Sequence, residues 1–258
     1  MAPPRFVEWL LVLPLPALAL LIMGVWASVA TVVHLVLVPW IAGRDGKSFG
    51  KFEAEVASQL GIVLGLLLSF NAVTVWEQSG AARDATLAEA SALREVYELV
   101  AELPPDQQPA LRGTLQTYVD FVIHDEWPRL GTGPVLLDKP SSLQALSRLG
   151  RTSNNQDLHD AVGAAVHARD DRIRIATSRM LPARWGIVII LGALALVAVG
   201  LIHAEHRRAR AVAVAMVAFA IGACFVVLIV QTRPFLGSLA LKPTELTALA
   251  DKLASPAP

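Results

Sequence analysis

The sequence contains little of what a soluble enzyme or a disulfide-bonded secreted protein would need. Charged residues make up only 17% of its 258 positions, the formal net charge is zero, and Cys224 is the single cysteine. One cysteine excludes a disulfide within the chain and a multi-cysteine metal site. There is no basic stretch interleaved with aromatic residues, which is the usual footprint of nucleic-acid binding, so we expect no nucleic-acid partner.

Catalytic and cofactor-binding motifs are missing as well. The sequence has no P-loop, no Gly-x-Gly-x-x-Gly after a predicted strand, no His-Glu-x-x-His and no Gly-x-Ser-x-Gly. The nearest approach to a metal site is the set His159, Asp160, His167, Asp170 and Asp171. Its two histidines stand about two helical turns apart, so a solvated helix face explains them. We therefore predict no enzyme, no metal and no cofactor.

Apolar residues, by contrast, are abundant, at 54% of the sequence with a mean hydropathy of +0.52. A helix needs about 20 mostly apolar residues to cross a bilayer. Four stretches satisfy this requirement, at residues 9–40, 54–76, 185–202 and 211–230. Tryptophans near the ends of these stretches suit the membrane interface. The sequence therefore predicts a multi-pass membrane protein.

The first apolar stretch has a second interpretation, as a cleaved signal peptide. Arg5 precedes it, and Ser28, Val29 and Ala30 form an acceptable cleavage site. The apolar run continues for about ten residues beyond that site, which a cleaved signal would not require, so a span is favoured. His34 lies in this stretch and is either a packing contact or a functional group.

The four stretches divide the chain into five segments. We assign 1–53 to the first span and a turn, 54–76 to the second span, 77–184 to an extramembrane domain, 185–231 to the last two spans and 232–258 to a C-terminal segment. Apolar residues within 77–184 recur three or four apart, and Asn154 or Asn155 is a suitable helix cap. The predicted fold class is all-α, with the second span extending into a helical extramembrane domain.

The charges of the two short turns indicate on which side of the membrane this domain lies. The two short turns are basic, with Arg44, Lys47, Lys51, Arg207, Arg208 and Arg210. The positive-inside bias therefore places the turns in the cytoplasm and the domain outside. This bias is mild here, because residues 77–184 are themselves rich in arginine and a long domain's own charges are weak determinants.

The second span carries two regular rows of residues. Ala57, Gly61, Gly65 and Ser69 form a stripe of small residues, each four positions after the last. Small residues at this spacing let helices approach closely in lipid, so the stripe is predicted to face another helix. Ser58, Ile62 and Leu66 form a parallel row about 100° round the helix.

These rows have two interpretations. If copies of the helix pack around an axis through the stripe, the row Ser58, Ile62 and Leu66 faces the axis and forms a narrow apolar constriction, which is one way for channels to gate. The stripe can instead provide tight packing within one subunit, which needs no pore. Spacing alone favours the second interpretation.

Longer patterns are shared with a known family. They are "GLLLSF" at 65–70, "EASALREVYELVAELP" at 89–104, "LRGTLQTYVDFVIHDEWP" at 111–128, and Arg233-Pro234-Phe235-Leu236-Gly237 after the fourth span. With the order of two spans, a helical domain and two more spans, these patterns resemble the bestrophins. They resemble still more closely the bacterial membrane proteins that have a bestrophin-like domain.

The resemblance implies a homopentameric ion channel of the bacterial inner membrane, with the second span lining the pore. Its partners would be further copies of the chain, the lipid bilayer and small inorganic ions. Ser58, Ile62 and Leu66 match the three neck positions of the family, and Gly65 matches a glycine just before the last of them. Charge near the pore mouths would set selectivity. The candidates there are Glu53, Asn71 and Glu77.

Departures from the bestrophin pattern limit what the resemblance implies. The Arg-Trp-Trp that follows the second span in bestrophins is Thr74-Val75-Trp76 here, and the acidic calcium-binding run is replaced by residues 238–245. Calcium gating is therefore not implied. Bestrophins also place their large domain in the cytosol, opposite to the charge bias.

The alternative function is that of a non-conducting membrane sensor or scaffold, in which the helical domain binds a partner. This alternative predicts that the face formed by Ser58, Ile62 and Leu66 is buried against other spans of the same subunit.

Overall fold

A computed structural model describes residues 13–43, 54–132, 138–153, 155–178, 182–237 and 239–255. Within these ranges the chain is helical and contains no strand, which confirms the predicted all-α class. The helices are α1 (Leu15–Ala42), α2 (Ala54–Ala101), α3 (Gln108–Phe121), α4 (Trp127–Thr132), α5 (Ser141–Thr152), α6 (Gln156–Thr177), α7 (Pro182–Ile202), α8 (Arg207–Gln231) and α9 (Thr244–Ala254). A π-helical turn, Val122–Glu126, joins α3 to α4. Of these helices, α1, α2, α7 and α8 are long and apolar enough to cross a membrane.

Helix boundaries follow the prolines and glycines. Pro14 and Pro16 stand at the start of α1, and Gly43, with φ 77°, follows its end. The second helix, α2, runs for 48 residues without a proline and stops just before Pro104-Pro105. Proline lacks the backbone N–H that a helix interior needs, so the helix ends before this pair. The second span therefore continues beyond the apolar stretch as one helix.

The chain separates into two compact units. The membrane unit comprises Met1–Trp76 and Arg179–Thr232, and the extramembrane unit comprises Glu77–Ser178 and Arg233–Pro258. Each unit has its own hydrophobic core of buried residues.

The core of the membrane unit is built around the indole of Trp26 on α1. Its ring centroid lies 5.3 Å from that of Phe225 on α8, and the ring of Phe225 lies 5.7 Å from that of Trp185 on α7. A Cβ atom at Gly192 would lie 2.6 Å from this indole. Glycine at position 192 therefore allows α7 to approach Trp26 closely, as small residues do between membrane helices.

The core of the extramembrane unit contains two buried carboxylates and two buried guanidiniums. Glu89 on α2, Glu126 on the π-helical turn, and Arg169 and Arg172 on α6 are each at most 1% exposed. Arg172 donates from Nε to Glu89 at 2.6 Å and from Nη2 to Glu126 at 2.6 Å. Arg169 donates from Nε to the other oxygen of Glu126 at 3.0 Å. Three separate segments of the chain are thus joined by charge-assisted hydrogen bonds.

Two aromatic side chains complete this buried cluster. The hydroxyl of Tyr118 donates to Glu89 at 2.7 Å, and the guanidinium carbon of Arg172 lies 5.3 Å from the ring centroid of Trp127. Burial and the negative charge of Glu89 raise the pKa of Tyr118 well above its usual range, so its hydroxyl keeps the proton that it donates. Burial opposes the charged form of Arg172, but attraction to Glu89 and Glu126 together outweighs it and raises the pKa of the guanidinium.

The Pro-Phe-x-Gly segment packs against α4 within the same unit. Phe235 meets the ring of Trp127 edge-on, with centroids 5.5 Å apart, and Trp127 Nε1 donates to the carbonyl of Leu241 at 3.1 Å. A Cβ atom at Gly131 would lie 2.8 Å from the backbone oxygen of Phe235. Gly237 has φ 98°, in the left-handed region that favours glycine. Both glycines are therefore required by the way this segment folds back.

We expect Arg172→Met to destabilise the protein by about 3–5 kcal/mol, because it leaves the buried carboxylate of Glu89 without a compensating charge. The matched control is Arg174→Met, since the side chain of Arg174 is 73% exposed and pairs with the exposed Asp171, and its loss should cost under about 1 kcal/mol. Thermal unfolding of the full chain in detergent measures both. Adding Glu89→Gln to Arg172→Met should recover part of the loss. Equal effects of the two single variants would contradict a structural role of the cluster.

We expect Gly131→Ala to lower the melting temperature, because the added methyl group would collide with the backbone of Phe235. Gly113→Ala on α3 is the control, since no atom lies within 4 Å of the position that its Cβ would take. Alanine is the better helix former by about 1 kcal/mol, so the control should be neutral or stabilising. A melting temperature that rises in both variants would show that the C-terminal segment can move away from α4.

Candidate pore-lining surface

The membrane half of α2 packs on its own subunit along one side only. Leu64 is 5% exposed and belongs to the core that α1, α7 and α8 form. Leu68, one turn later, packs against the same core. Asn71 is half-buried, lies about two turns after Leu64 and so shares its side of the helix. Together these residues mark the packing side of α2.

The opposite side of α2 is open. Ile62 and Leu66 are 68% and 54% exposed, and Ser58 is also exposed. Each residue turns a helix by about 100°, so Ile62, two residues before Leu64, points about 200° away from it. The row Ser58, Ile62 and Leu66 therefore faces away from the other spans of its subunit. The burial that the sensor or scaffold hypothesis predicts for this row is not found.

The stripe of small residues lies on the flank between these two sides. Nothing lies within 4 Å of the positions that Cβ atoms would take at Gly61 and Gly65. Ala57 is half-buried, and the exposed Ser69 donates its hydroxyl to the carbonyl of Gly65 at 2.9 Å. The described part of the chain thus supplies no helix in close contact with the two glycines.

Among the four spans, α2 is the least covered by its own chain. In its most apolar 18-residue window 6% of residues are buried, against 28% for α1, 39% for α7 and 33% for α8. Because α2 packs against its own subunit along a single narrow side, most of its surface is available to other molecules. Lipid or another copy of the chain can cover that surface.

The three residues predicted at the pore mouths have different surroundings. Glu53 lies outside the described residues. Asn71 donates its amide to the carbonyl of Leu67 at 2.8 Å and lines a small pocket against Arg184 and Val188 of α7. Glu77 is exposed at the first position of the extramembrane unit. Of the two that the structure describes, Asn71 shares a pocket with another span of its own subunit.

The histidines considered as candidate ligands occupy separate places. His159 and His167 are exposed on α6, and the described residues contain no group of three His, Cys, Asp or Glu side chains that could hold a metal. His34 accepts a hydrogen bond at Nδ1 from Nε of Arg210, at 3.2 Å. An arginine donor requires an unprotonated Nδ1, so His34 is a neutral acceptor in a contact between α1 and α8.

The bestrophin-like domain family matches residues 24–246 of the chain, which include the whole of α2 and all of α3 to α8. No curated protein matches the chain, and no solved structure matches it. The family match spans well over half of the 258 residues. The chain belongs to the bestrophin-like domain family.

Proposed function

We propose that the protein is an ion channel in which several copies of α2 surround a pore. The observation that carries this proposal is the open row Ser58, Ile62 and Leu66, which faces away from the packing side of its own subunit. Membership of the bestrophin-like domain family supports the same function. The conducting path would run along this row, and transport would be passive.

The stripe of small residues supports assembly from identical subunits. In lipid, association between helices depends on close van der Waals contact, which glycine permits and larger residues prevent. Gly61 and Gly65 can make such a contact, and no helix in the described part of their own subunit makes it. We propose that the α2 helix of a neighbouring copy does. The resemblance to bestrophins supports five copies, and it supports a place in the bacterial inner membrane.

The chemistry of the row suits a neck that is narrow and mostly dry. Rings of Ile62 and Leu66 would present methyl groups to the pore, and such constrictions gate by excluding water. Ser58 would add a ring of hydroxyl groups at one end of the neck. Selectivity would then depend on the charges beyond the neck, for which Glu53 and Glu77 remain the candidates. A passive pore of this kind needs no catalytic group, and we propose no enzymatic activity.

We expect Ile62→Ala and Leu66→Ala to raise ion flux from liposomes several-fold, because each widens the proposed neck and makes it easier to wet. Val63→Ala is the control, since Val63 is 46% exposed on the same helix but points about 100° away from Ile62. Its flux should match the wild type. No flux from any of the four proteins, all folded and oligomeric, would contradict a channel and favour the membrane sensor or scaffold.

We expect Gly65→Leu to dissociate the oligomer, because a bulky side chain would hold neighbouring α2 helices apart. Gly24→Leu on α1 is the matched control, since Gly24 is also exposed with no atom within 4 Å of its potential Cβ. Light scattering of the detergent-solubilised protein gives the mass of each complex. A variant at Gly65 that keeps the wild-type mass would show that the stripe does not form the interface between subunits.

A further inference from the structure

A groove of about 600 Å³ runs along the membrane unit between α1 and α8. Its floor is made of alanines, namely Ala27, Ala30, Ala211, Ala215 and Ala218. Its sides are large apolar residues: Leu20 and Leu35 from α1 and Phe219 from α8 are 74%, 50% and 66% exposed. A groove lined by small side chains between large exposed apolar ones can hold a single hydrocarbon chain.

One end of the groove is strongly basic. Arg207 and Arg208 stand four and three residues before Ala211, so both lie on the groove side of α8. Both are exposed, whereas Arg210 is 4% exposed and held by His34 and the carbonyl of Ala204. Two accessible guanidiniums therefore stand just beyond the end of the groove where α8 begins.

The local electrostatics favour an anion at this end. The first turn of α8 contains no acidic residue, and no side chain caps its free backbone N–H groups. These N–H groups form the positive end of the helix dipole, so the arginines add charge of the same sign where it is least favourable. Within the described residues, Arg207 and Arg208 make no ion pair, and the adjacent Glu205 is exposed. An external anion would relieve this repulsion.

The distance from Arg208 to the far end of the groove matches one leaflet of a bilayer. Arg208 and Phe219 are eleven residues apart, which is roughly 16 Å along a helix at 1.5 Å per residue. The hydrocarbon core of a membrane is about 30 Å thick, so its half-thickness is about 15 Å. A molecule with its charge at Arg208 and its tail at Phe219 would span the distance from headgroup level to the middle of the bilayer.

We propose that this groove binds an anionic phospholipid. Its phosphate lies against Arg207, Arg208 and the N-terminus of α8, and one acyl chain lies along the alanine floor. The basic end selects a negatively charged headgroup, because a lipid with no net charge would gain less from the two guanidiniums. This binding site is separate from the open side of α2, and it does not depend on ion conduction.

The test compares the melting temperature of the detergent-solubilised full chain with added phosphatidylglycerol and with added phosphatidylcholine, since a ligand stabilises the folded state that binds it. We expect a larger rise with phosphatidylglycerol. The double variant Arg207→Gln and Arg208→Gln should lose that preference. Ala215→Phe, which fills the exposed floor, should lose the response to both lipids. Val212→Phe is the control, since Val212 is 60% exposed but does not line the groove.

Native mass spectrometry of the same variants counts the bound phosphatidylglycerol directly and requires no flux measurement. We expect tight binding to the wild type and to Val212→Phe, and its loss in Ala215→Phe. An equal response of the wild type to both lipids, or a preference that survives in the double variant, would overturn the proposal. So would an Ala215→Phe protein that binds lipid normally but changes its oligomeric mass, since a second copy of the chain would then cover the groove.

Discussion

The pairing of Glu89 with Arg172 is the interaction on which the extramembrane unit depends. Because neither side chain reaches water, each charge is tolerable only while its partner stays in place. Glu89 belongs to α2, and Arg172 also pairs with Glu126 on the π-helical turn. The extramembrane half of α2 is thus held by a contact with strict geometry. Its membrane half is held by little more than one apolar side.

This difference between the two halves of α2 supports the proposed oligomer, in which the membrane half of α2 contacts other copies. Exposed apolar residues such as Ile62 and Leu66 do not by themselves demand a partner, because lipid tails cover them at no cost. The bare glycines at 61 and 65 are the stronger indication, since lipid gains nothing from a residue without a side chain whereas another helix gains close contact. Oligomer formation therefore rests on the stripe, and the pore rests on the row beside it.

Hydropathy was sufficient to predict the four spans, and local chemistry was sufficient for some details. Asn155 caps α6, for example, by accepting a hydrogen bond from the backbone of Leu158 at 3.1 Å. The buried ion cluster was not predicted, because the partners of Arg172 lie 83 and 46 residues away in the chain. A signal did exist. Arg169 and Arg172 share the helix face of Ala165 and Ala176, which is apolar and buried, so they interrupt a core face instead of extending a solvated one.

The proposed lipid site and the proposed pore use different surfaces of the membrane unit. The groove lies between α1 and α8, whereas the row Ser58, Ile62 and Leu66 points away from those helices. Any influence of a bound lipid on conduction would have to cross the core around Trp26. That core is tightly packed at this point, since a Cβ atom at Gly222 would lie 2.6 Å from Sδ of Met23, a residue that lines the groove. An acyl chain in the groove would therefore contact Met23, and Met23 in turn packs closely on Gly222 of α8, which gives a route from the lipid to the core around Trp26.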